Sequence, residues 1–180
     1  MTGQGHITLV TGGARSGKSA LAERLAARHP GPRVYIATAQ AGDDEMSSRI
    51  NIHRQRRGNG WTTVEEPLAL AEALRATDGQ GVRLVDCLTL WLSNCMGGAD
   101  VDGLIATLRQ MQSPVVLVTN ELGQGIVPDN ALARRFRDRH GWMNQAVAQA
   151  AAPPAASSKR PNLRRRRSAS RSPSPSSVAP

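Results

Sequence analysis

An eight-residue segment near the N-terminus constrains this chain more than any other feature. Residues 12–19 spell Gly-Gly-Ala-Arg-Ser-Gly-Lys-Ser, which completes the GxxxxGK[ST] pattern of a phosphate-binding loop. Its glycines let backbone N–H groups approach phosphate oxygens, and a helix beginning near Lys18 adds the positive end of its dipole. In this pattern the lysine reaches the β- and γ-phosphate oxygens, and the Ser19 hydroxyl ligates Mg²⁺. The segment therefore predicts a nucleoside triphosphate site.

The residues around this loop have the order that such a site requires. A short β-rich run, Ile7–Thr11, precedes it, and residues 19–29 carry apolar side chains at helical spacing until Pro30. Lys18 is the only lysine before position 153, in a chain that otherwise uses arginine. The alternative, a glycine-rich turn with an incidental lysine, fits this context poorly.

Short apolar runs alternate with helical patterns along the rest of the body. Strands are predicted at residues 34–38, 82–86 and 115–119, and helices at 43–57, 68–76, 101–111, 130–139 and 142–152, with a helix or turn at 88–95. This alternation predicts an α/β fold: a three-layer P-loop NTPase domain with a mostly parallel sheet covered on both faces.

The charge of the chain is concentrated at its C-terminal end. All 14 acidic residues and 16 of the 23 lysines and arginines precede position 153, so the body is close to neutral, whereas residues 153–180 carry seven basic residues and no acid. This end is rich in Arg, Ser and Pro and has almost no large apolar residue, so it cannot bury enough surface to fold. We expect one domain at 1–152 and a disordered tail at 153–180.

The cysteines and the hydropathy suggest a cytosolic protein. Cys87 and Cys95 are the only cysteines, in or beside an apolar run, and no Cys/His cluster suggests zinc. No stretch approaches the roughly 18 apolar residues of a membrane span, and no secretory signal pattern begins the chain. We expect two reduced thiols and a cytoplasmic location.

A metal-assisted triphosphate site needs an acidic group near the end of a neighbouring strand. Asp86 closes the apolar run 82–85 and is the better candidate; Glu121, just after 115–119, is the second. Either acid has an alternative role as a helix cap. We expect Ser19 and Asp86 to hold Mg²⁺.

One segment combines a histidine with several arginines. Residues 49–57 read Arg-Ile-Asn-Ile-His-Arg-Gln-Arg-Arg, and His53 would share a helix face with Arg49 and Arg57. The cations would neutralise a triphosphate attacked at its α-phosphorus, an arrangement suited to covalent nucleotidyl transfer through histidine. From these residues alone, a basic helix face with a passive histidine remains the alternative.

Taken together, the motifs resemble a known family. After the loop come Tyr-Ile-Ala-Thr at 35–38, Asp-Asp-Glu-Met at 43–46, Arg-Ile-x-x-His at 49–53 and Trp-x-Thr-x-Glu at 61–65. Asp-Cys-Leu-Thr-Leu-Trp-Leu-Ser-Asn follows at 86–94, then Val-Thr-Asn-Glu at 118–121, Arg-x-Phe-Arg-Asp at 134–138 and Gly-Trp-Met-Asn-Gln at 141–145. Over about residues 7–150 the chain is similar to the bifunctional adenosylcobinamide kinases/adenosylcobinamide-phosphate guanylyltransferases of cobalamin biosynthesis.

The resemblance implies a RecA-like trimer that catalyses two reactions. The enzyme would phosphorylate adenosylcobinamide with ATP or GTP, and then transfer GMP from GTP to that phosphate through a guanylyl-histidine, giving adenosylcobinamide-GDP and pyrophosphate. The family's histidine falls on His53, and Lys18 would serve the phosphoryl groups. The implied nucleotide contacts are Gly12, Gly13, Ala14, Arg15, Ser16, Gly17, Lys18, Ser19, Ala37, Thr38, Ala39, Arg54, Gln55, Arg56, Arg57, Glu65 and Asp86.

The C-terminal end departs from this resemblance. Members of the family continue into a final strand, whereas here the composition switches at about 149–153 to the Arg/Ser/Pro segment. A shifted reading frame in GC-rich DNA would give such a switch, and the activity of this chain would then be impaired. The alternatives are a genuine basic tail that binds a polyanion non-specifically, making the chain a binding module, and a different P-loop small-molecule kinase in which His53 has no role.

Overall fold

The fold is that of the computed structural model, which describes residues 5–95 and 98–152. These residues form five strands and six helices, which alternate except that α4 is followed directly by α5. The strands are β1 (Ile7–Gly12), β2 (Arg33–Ala37), β3 (Thr62–Glu65), β4 (Val82–Asp86) and β5 (Val115–Asn120). The helices are α1 (Lys18–Ala26), α2 (Asp44–Arg57), α3 (Leu70–Ala76), α4 (Leu88–Asn94), α5 (Val101–Gln110) and α6 (Ala131–Ala151).

The strands form one all-parallel sheet in the order β1-β5-β4-β2-β3. Apolar side chains of β5 alternate between two separate cores. Val115 and Leu117 pack into the core shared with α3–α6, whereas Val116 and Val118 pack with Ala22 of α1 on the opposite face. A strand buried on both faces has to be apolar throughout, which explains the continuous run at 115–118. The predicted three-layer α/β fold is confirmed.

Helix α2 begins where the acidic residues 43–45 predict it. The side chain of Asp43 accepts a hydrogen bond from the Met46 backbone N–H at 2.7 Å, and Asp44 and Glu45 occupy the first turn, where negative charge suits the helix dipole. Its C-terminal end is followed by Gly58 with a φ of 64°, a conformation that glycine adopts without strain.

Two predictions of secondary structure were wrong. The helices expected at 130–139 and 142–152 are one continuous helix, α6, because Phe136, before Gly141, and Met143 and Val147, after it, pack against the same core. Strand β3 was not predicted, since it has four residues and its ends, Thr62 and Glu65, are exposed.

The expected tail at 153–180 and its frameshift lie outside the described residues. Within residues 5–95 and 98–152, no helix is long and apolar enough to cross a membrane.

Candidate active site

The site lies where parallel strands end, at the carboxyl edge of the sheet. The phosphate-binding loop follows β1, Ala39–Ala41 follow β2, and Glu65, Asp86 and Asn120 end β3, β4 and β5. These segments surround a single cavity of about 870 Å³, which α2 lines from the side. Open parallel sheets bind ligands at this edge, because the loops that connect strands to helices converge there.

The backbone of the phosphate-binding loop is shaped for an anion. Arg15 and Gly17 both have left-handed φ angles, 57° and 82°, so the chain alternates in hand, as it does in backbone nests that bind anions. A Cβ on Gly12 would lie 2.8 Å from the Ser16 hydroxyl oxygen, and the glycine avoids that contact.

Lys18 and the start of α1 add positive charge to this loop. The ammonium of Lys18 donates to the Gly13 carbonyl at 3.1 Å, so the side chain folds back over the loop. Gly17 caps α1 without any side-chain hydrogen bond to the first helical N–H groups. These donors and the helix dipole are therefore available to phosphate oxygens.

One face of α2 lines the cavity, and its side chains change from apolar to basic along the helix. Met46 and Ile50, near its N-terminus, supply apolar wall; His53 lies in the middle; Arg54 and Arg57 line the C-terminal part. The spacing of 46, 50, 53 and 57 is that of a single helix face. Arg54 also lies 3.6 Å from the Glu65 carboxylate, a pair exposed enough to contribute little stability.

His53 faces a carboxylate in this cavity. Its Nδ1 lies 3.6 Å from Oδ2 of Asp86, with the His53 side chain 33% exposed and that of Asp86 12%. The same Oδ2 accepts a hydrogen bond from the hydroxyl of Tyr35 at 3.1 Å. Burial is the largest cause that raises the pKa of Tyr35, and the charge of Asp86 is the next. The phenol therefore stays protonated and donates.

Tyr35 is held from two further sides. The guanidinium carbon of Arg57 lies 3.3 Å from the ring centroid, a cation–π contact, and Trp61 meets the ring edge-on at 6.2 Å between centroids. Tyr35 from β2 and His53 from α2 thus converge on one carboxylate, that of Asp86 at the end of β4.

The end of β4 that carries Asp86 is fixed by Thr38. The Thr38 hydroxyl donates to the Cys87 carbonyl and accepts from the Cys87 N–H, both at 2.8 Å, and the Thr38 N–H donates to the Asp86 carbonyl. Asn94 in turn donates to the Thr38 carbonyl at 2.7 Å. This arrangement uses up the polar groups of Thr38, which is fully buried.

The sequence-predicted residues fall into two groups. Those that line the cavity are Ala14, Arg15, Ser16, Gly17, Lys18, Ser19, Ala37, Ala39, His53, Arg54, Arg57, Glu65 and Asp86. Gly12, Gly13, Thr38 and Gln55 do not line it, and the side chain of Arg56 lies outside the described part of the structure. The expected catalytic pair, Lys18 and His53, shares one cavity.

Glu121 does not line this cavity. Its Oε1 accepts from the Gly123 N–H at 2.6 Å within its own loop, and the preceding residue, Asn120, lines the cavity instead.

Tyr35 lines the cavity but was not predicted from the sequence as a site residue. It is the only tyrosine of the chain and lies two residues before Ala37 on the same strand face. Among the described residues, no group of three or more His, Cys, Asp or Glu is placed to hold a metal.

Comparisons with known proteins agree with these features. A family model described as cobinamide kinase / cobinamide phosphate guanyltransferase matches residues 8–156. The bifunctional adenosylcobalamin biosynthesis protein CobP of Pseudomonas aeruginosa is 52% identical over 149 residues, covering 78% of this chain and 86% of the relative. The proteins named CobU of Escherichia coli and Salmonella typhimurium are 43% and 41% identical over 166 residues, covering 81% of this chain and 91% of each relative.

Proposed function

The chain belongs to the cobinamide kinase / cobinamide phosphate guanyltransferase family, and from that premise we propose how the cavity described above serves two reactions. The enzyme phosphorylates adenosylcobinamide with ATP or GTP. It then transfers GMP from GTP to the resulting phosphate through a guanylyl group on His53, releasing adenosylcobinamide-GDP and pyrophosphate.

The position of His53 beside the phosphate-binding loop supports this proposal most directly. Residues 14–19 of the phosphate-binding loop and the imidazole of His53 border the same cavity, with Asp86 beside the imidazole. A kinase needs only the loop and its lysine. A histidine lining the same space, beside Arg54 and Arg57, supports nucleophilic attack on a bound triphosphate as a second reaction.

In the kinase step, the substrate hydroxyl attacks the γ-phosphorus. The bond from that phosphorus to the β,γ-bridging oxygen breaks, the nucleoside diphosphate leaves, and the hydroxyl proton is released. Lys18 and the loop N–H groups bind the transferred group and stabilise the charge that spreads over its oxygens.

In the guanylyl step, a ring nitrogen of His53 attacks the α-phosphorus of GTP. A P–N bond forms while the bond to the α,β-bridging oxygen breaks, and its electron pair leaves with pyrophosphate. A phosphate oxygen of adenosylcobinamide phosphate then attacks the same phosphorus, the P–N bond breaks, and free imidazole is restored. Arg54 and Arg57 offset the negative charge of the triphosphate.

The residues present suit a magnesium ion. Ser19 and Asp86 both line the cavity with oxygen donors of the kind Mg²⁺ prefers, and Oδ1 of Asp86 has no partner among the described residues. We propose that these two residues hold the ion, which when bound neutralises phosphate charge.

The nucleotide site proposed here consists of the loop 12–19 together with Ala37, Ala39, Arg54, Arg57, Glu65 and Asp86. The polar groups of Thr38 are occupied by Cys87 and Asn94, so this residue supports Asp86 from behind. Glu65, 73% exposed at the rim, is free to accept a hydrogen bond from guanine or ribose.

Incubation with GTP labelled at the α-phosphate tests the covalent step. We expect protein-bound label that is stable to base and labile to acid, as a phosphorus–nitrogen bond requires. His53→Ala removes the nucleophile and should abolish labelling, whereas His6→Ala, which alters an exposed histidine outside the cavity, should not. Label on a folded His53→Ala variant would refute the role of His53.

We also propose that the enzyme assembles as a trimer, as the resemblance implies. Exposed large apolar side chains concentrate in one stretch of the chain, which supports a buried contact there: Leu122, Ile126, Val127, Leu132 and Trp142. Light scattering should give three times the chain mass, and Trp142→Glu should lower it. A monomeric wild-type protein would refute the trimer.

A further inference from the structure

We propose that Tyr35 and Asp86 orient the imidazole of His53 so that Nδ1 faces the carboxylate and Nε2 receives the guanylyl group. This inference rests on the proposed guanylyl-histidine and adds two positioning roles and the ring nitrogen that reacts. Tyr35 and His53 converge on the same oxygen, Oδ2 of Asp86.

The carboxylate is rigidly placed before any nucleotide arrives. Its backbone is tied to the buried Thr38, and its Oδ2 already accepts from Tyr35. The Tyr35 ring is in turn fixed between Arg57 and Trp61. A group held this firmly can orient a neighbour, because little freedom remains to be lost.

The imidazole is the movable member of the three. Its Nδ1 lies 3.6 Å from Oδ2, beyond hydrogen-bond distance, and one third of the His53 side chain is exposed. A shift of less than 1 Å closes the gap, and hydrogen bonds of this kind often tighten only when substrate binds. The hydrogen bond then places the proton on Nδ1 and leaves the Nε2 lone pair free.

This arrangement explains how the P–N bond forms without a separate base. Attack by Nε2 makes the ring cationic while its Nδ1–H faces the Asp86 carboxylate, which stabilises that charge. No proton has to leave before pyrophosphate does, since the lone pair is already available. When the acceptor phosphate breaks the P–N bond, its electron pair returns to Nε2.

The two carboxylate oxygens of Asp86 have different roles. Oδ2 serves Tyr35 and His53, whereas Oδ1 has no partner among the described residues and remains for the metal. Removal of the Tyr35 hydroxyl should therefore lower the guanylylation rate, which depends on the orientation of His53, more than it lowers the kinase rate. A purely structural tyrosine would lower both activities together.

The experiment compares Tyr35→Phe with Thr77→Val in the full chain. Tyr35→Phe keeps the ring beneath Arg57 and removes only the hydroxyl. We expect its rate of guanylylation by α-labelled GTP to fall about 10-fold, a loss of the size seen when partners that orient a metal-ligating histidine are removed, with the kinase rate within about 2-fold of wild type. Thr77→Val likewise removes a buried hydroxyl, but outside the cavity, so it should guanylylate at close to the wild-type rate.

A second measurement does not depend on any variant folding. Phosphorus and proton–nitrogen NMR of the base-stable label, after denaturation of the wild-type protein, distinguish substitution on Nε2 from substitution on Nδ1. We expect Nε2. Label on Nδ1, or a folded Tyr35→Phe that guanylylates at the wild-type rate, would overturn the inference while leaving His53 as nucleophile. Label that survives His53→Ala would instead refute the proposed function itself.

Discussion

His140 is a buried histidine outside the proposed chemistry, and it connects the core to the cavity. Its Nε2 lies 2.9 Å from the Thr89 hydroxyl, which in turn accepts from the N–H of cavity-lining Asn120 at 2.9 Å. The side chain is 1% exposed. Burial lowers the pKa of His140, and the charge of Glu121 opposes that shift in part.

The lowered pKa of His140 predicts a pH-dependent stability. As the pH falls, His140 becomes protonated near pH 6.5 in the unfolded chain and only at a lower pH in the folded protein. The neutral, buried His140 therefore contributes its full stabilisation above about pH 6.5. As the pH falls from there through the folded pKa of His140, the free energy of unfolding decreases by up to about 1.4 kcal/mol per pH unit. Urea unfolding between pH 7.5 and 5 should show this slope in wild type.

A matched pair of variants assigns the slope. His140→Gln cannot take up the proton and should unfold with a shallower pH dependence, whereas His6→Gln alters an exposed histidine and should keep the wild-type slope. Equal slopes in wild type and His140→Gln would contradict the assignment.

At the level of single residues, the sequence predicted what local motifs encode. The loop 12–19 specifies its own conformation, and the apolar run 82–85 identifies Asp86 as a strand end. The role of Tyr35 was not predictable, because it depends on β2 lying beside β4. Likewise, the side chain of Glu121 turns back to Gly123, which its strand-end position did not reveal.

At the level of elements, an ion pair with a fully buried guanidinium joins β4 to the segments that follow α3 and precede β5, at the edge opposite the cavity. Arg83 is fully buried and lies 3.1 Å from Asp78, and it also donates to the Leu74 and Ser113 carbonyls. Partial burial opposes ionisation of Asp78, but backbone N–H groups of Ser113 and Gln112 and the charge of Arg83 hold its pKa below the ordinary value.

Removing that carboxylate charge should be costly. Asp78→Asn leaves the Arg83 guanidinium buried without its counter-ion, and we expect the free energy of unfolding in urea to fall by about 3 kcal/mol or more. Glu72→Gln, which breaks an exposed pair with Arg75 at 3.8 Å, should cost about 1 kcal/mol or less. Similar costs for the two variants would contradict the account.

Elements were predicted best where the apolar periodicity was strong. Strands β1, β2, β4 and β5 all lie in mostly apolar runs, although β4 contains the charged Arg83. The short strand β3 has no such run and exists because its backbone pairs with β2. The break predicted between residues 139 and 142 does not occur, because side chains on both sides of Gly141 pack into one core.

For the whole molecule, we propose that residues 1–152 contain all the catalytic machinery. The segment 153–180 carries a charge of +7 and no residue of the proposed site. A chain ended after Ala152 should fold, accept label from GTP like the full chain, and elute from a heparin column at lower salt. A folded truncated chain that no longer accepts label would assign the segment a role in catalysis.

We propose that the guanylyl group on His53 lies on the reaction path, and a single-turnover chase can follow it. Protein labelled with α-labelled GTP is freed of nucleotide and mixed with adenosylcobinamide phosphate. We expect label to leave His53 and enter adenosylcobinamide-GDP at least as fast as steady-state turnover. Label that stays on the protein while product forms from fresh GTP would show that the guanylyl-histidine is not an intermediate.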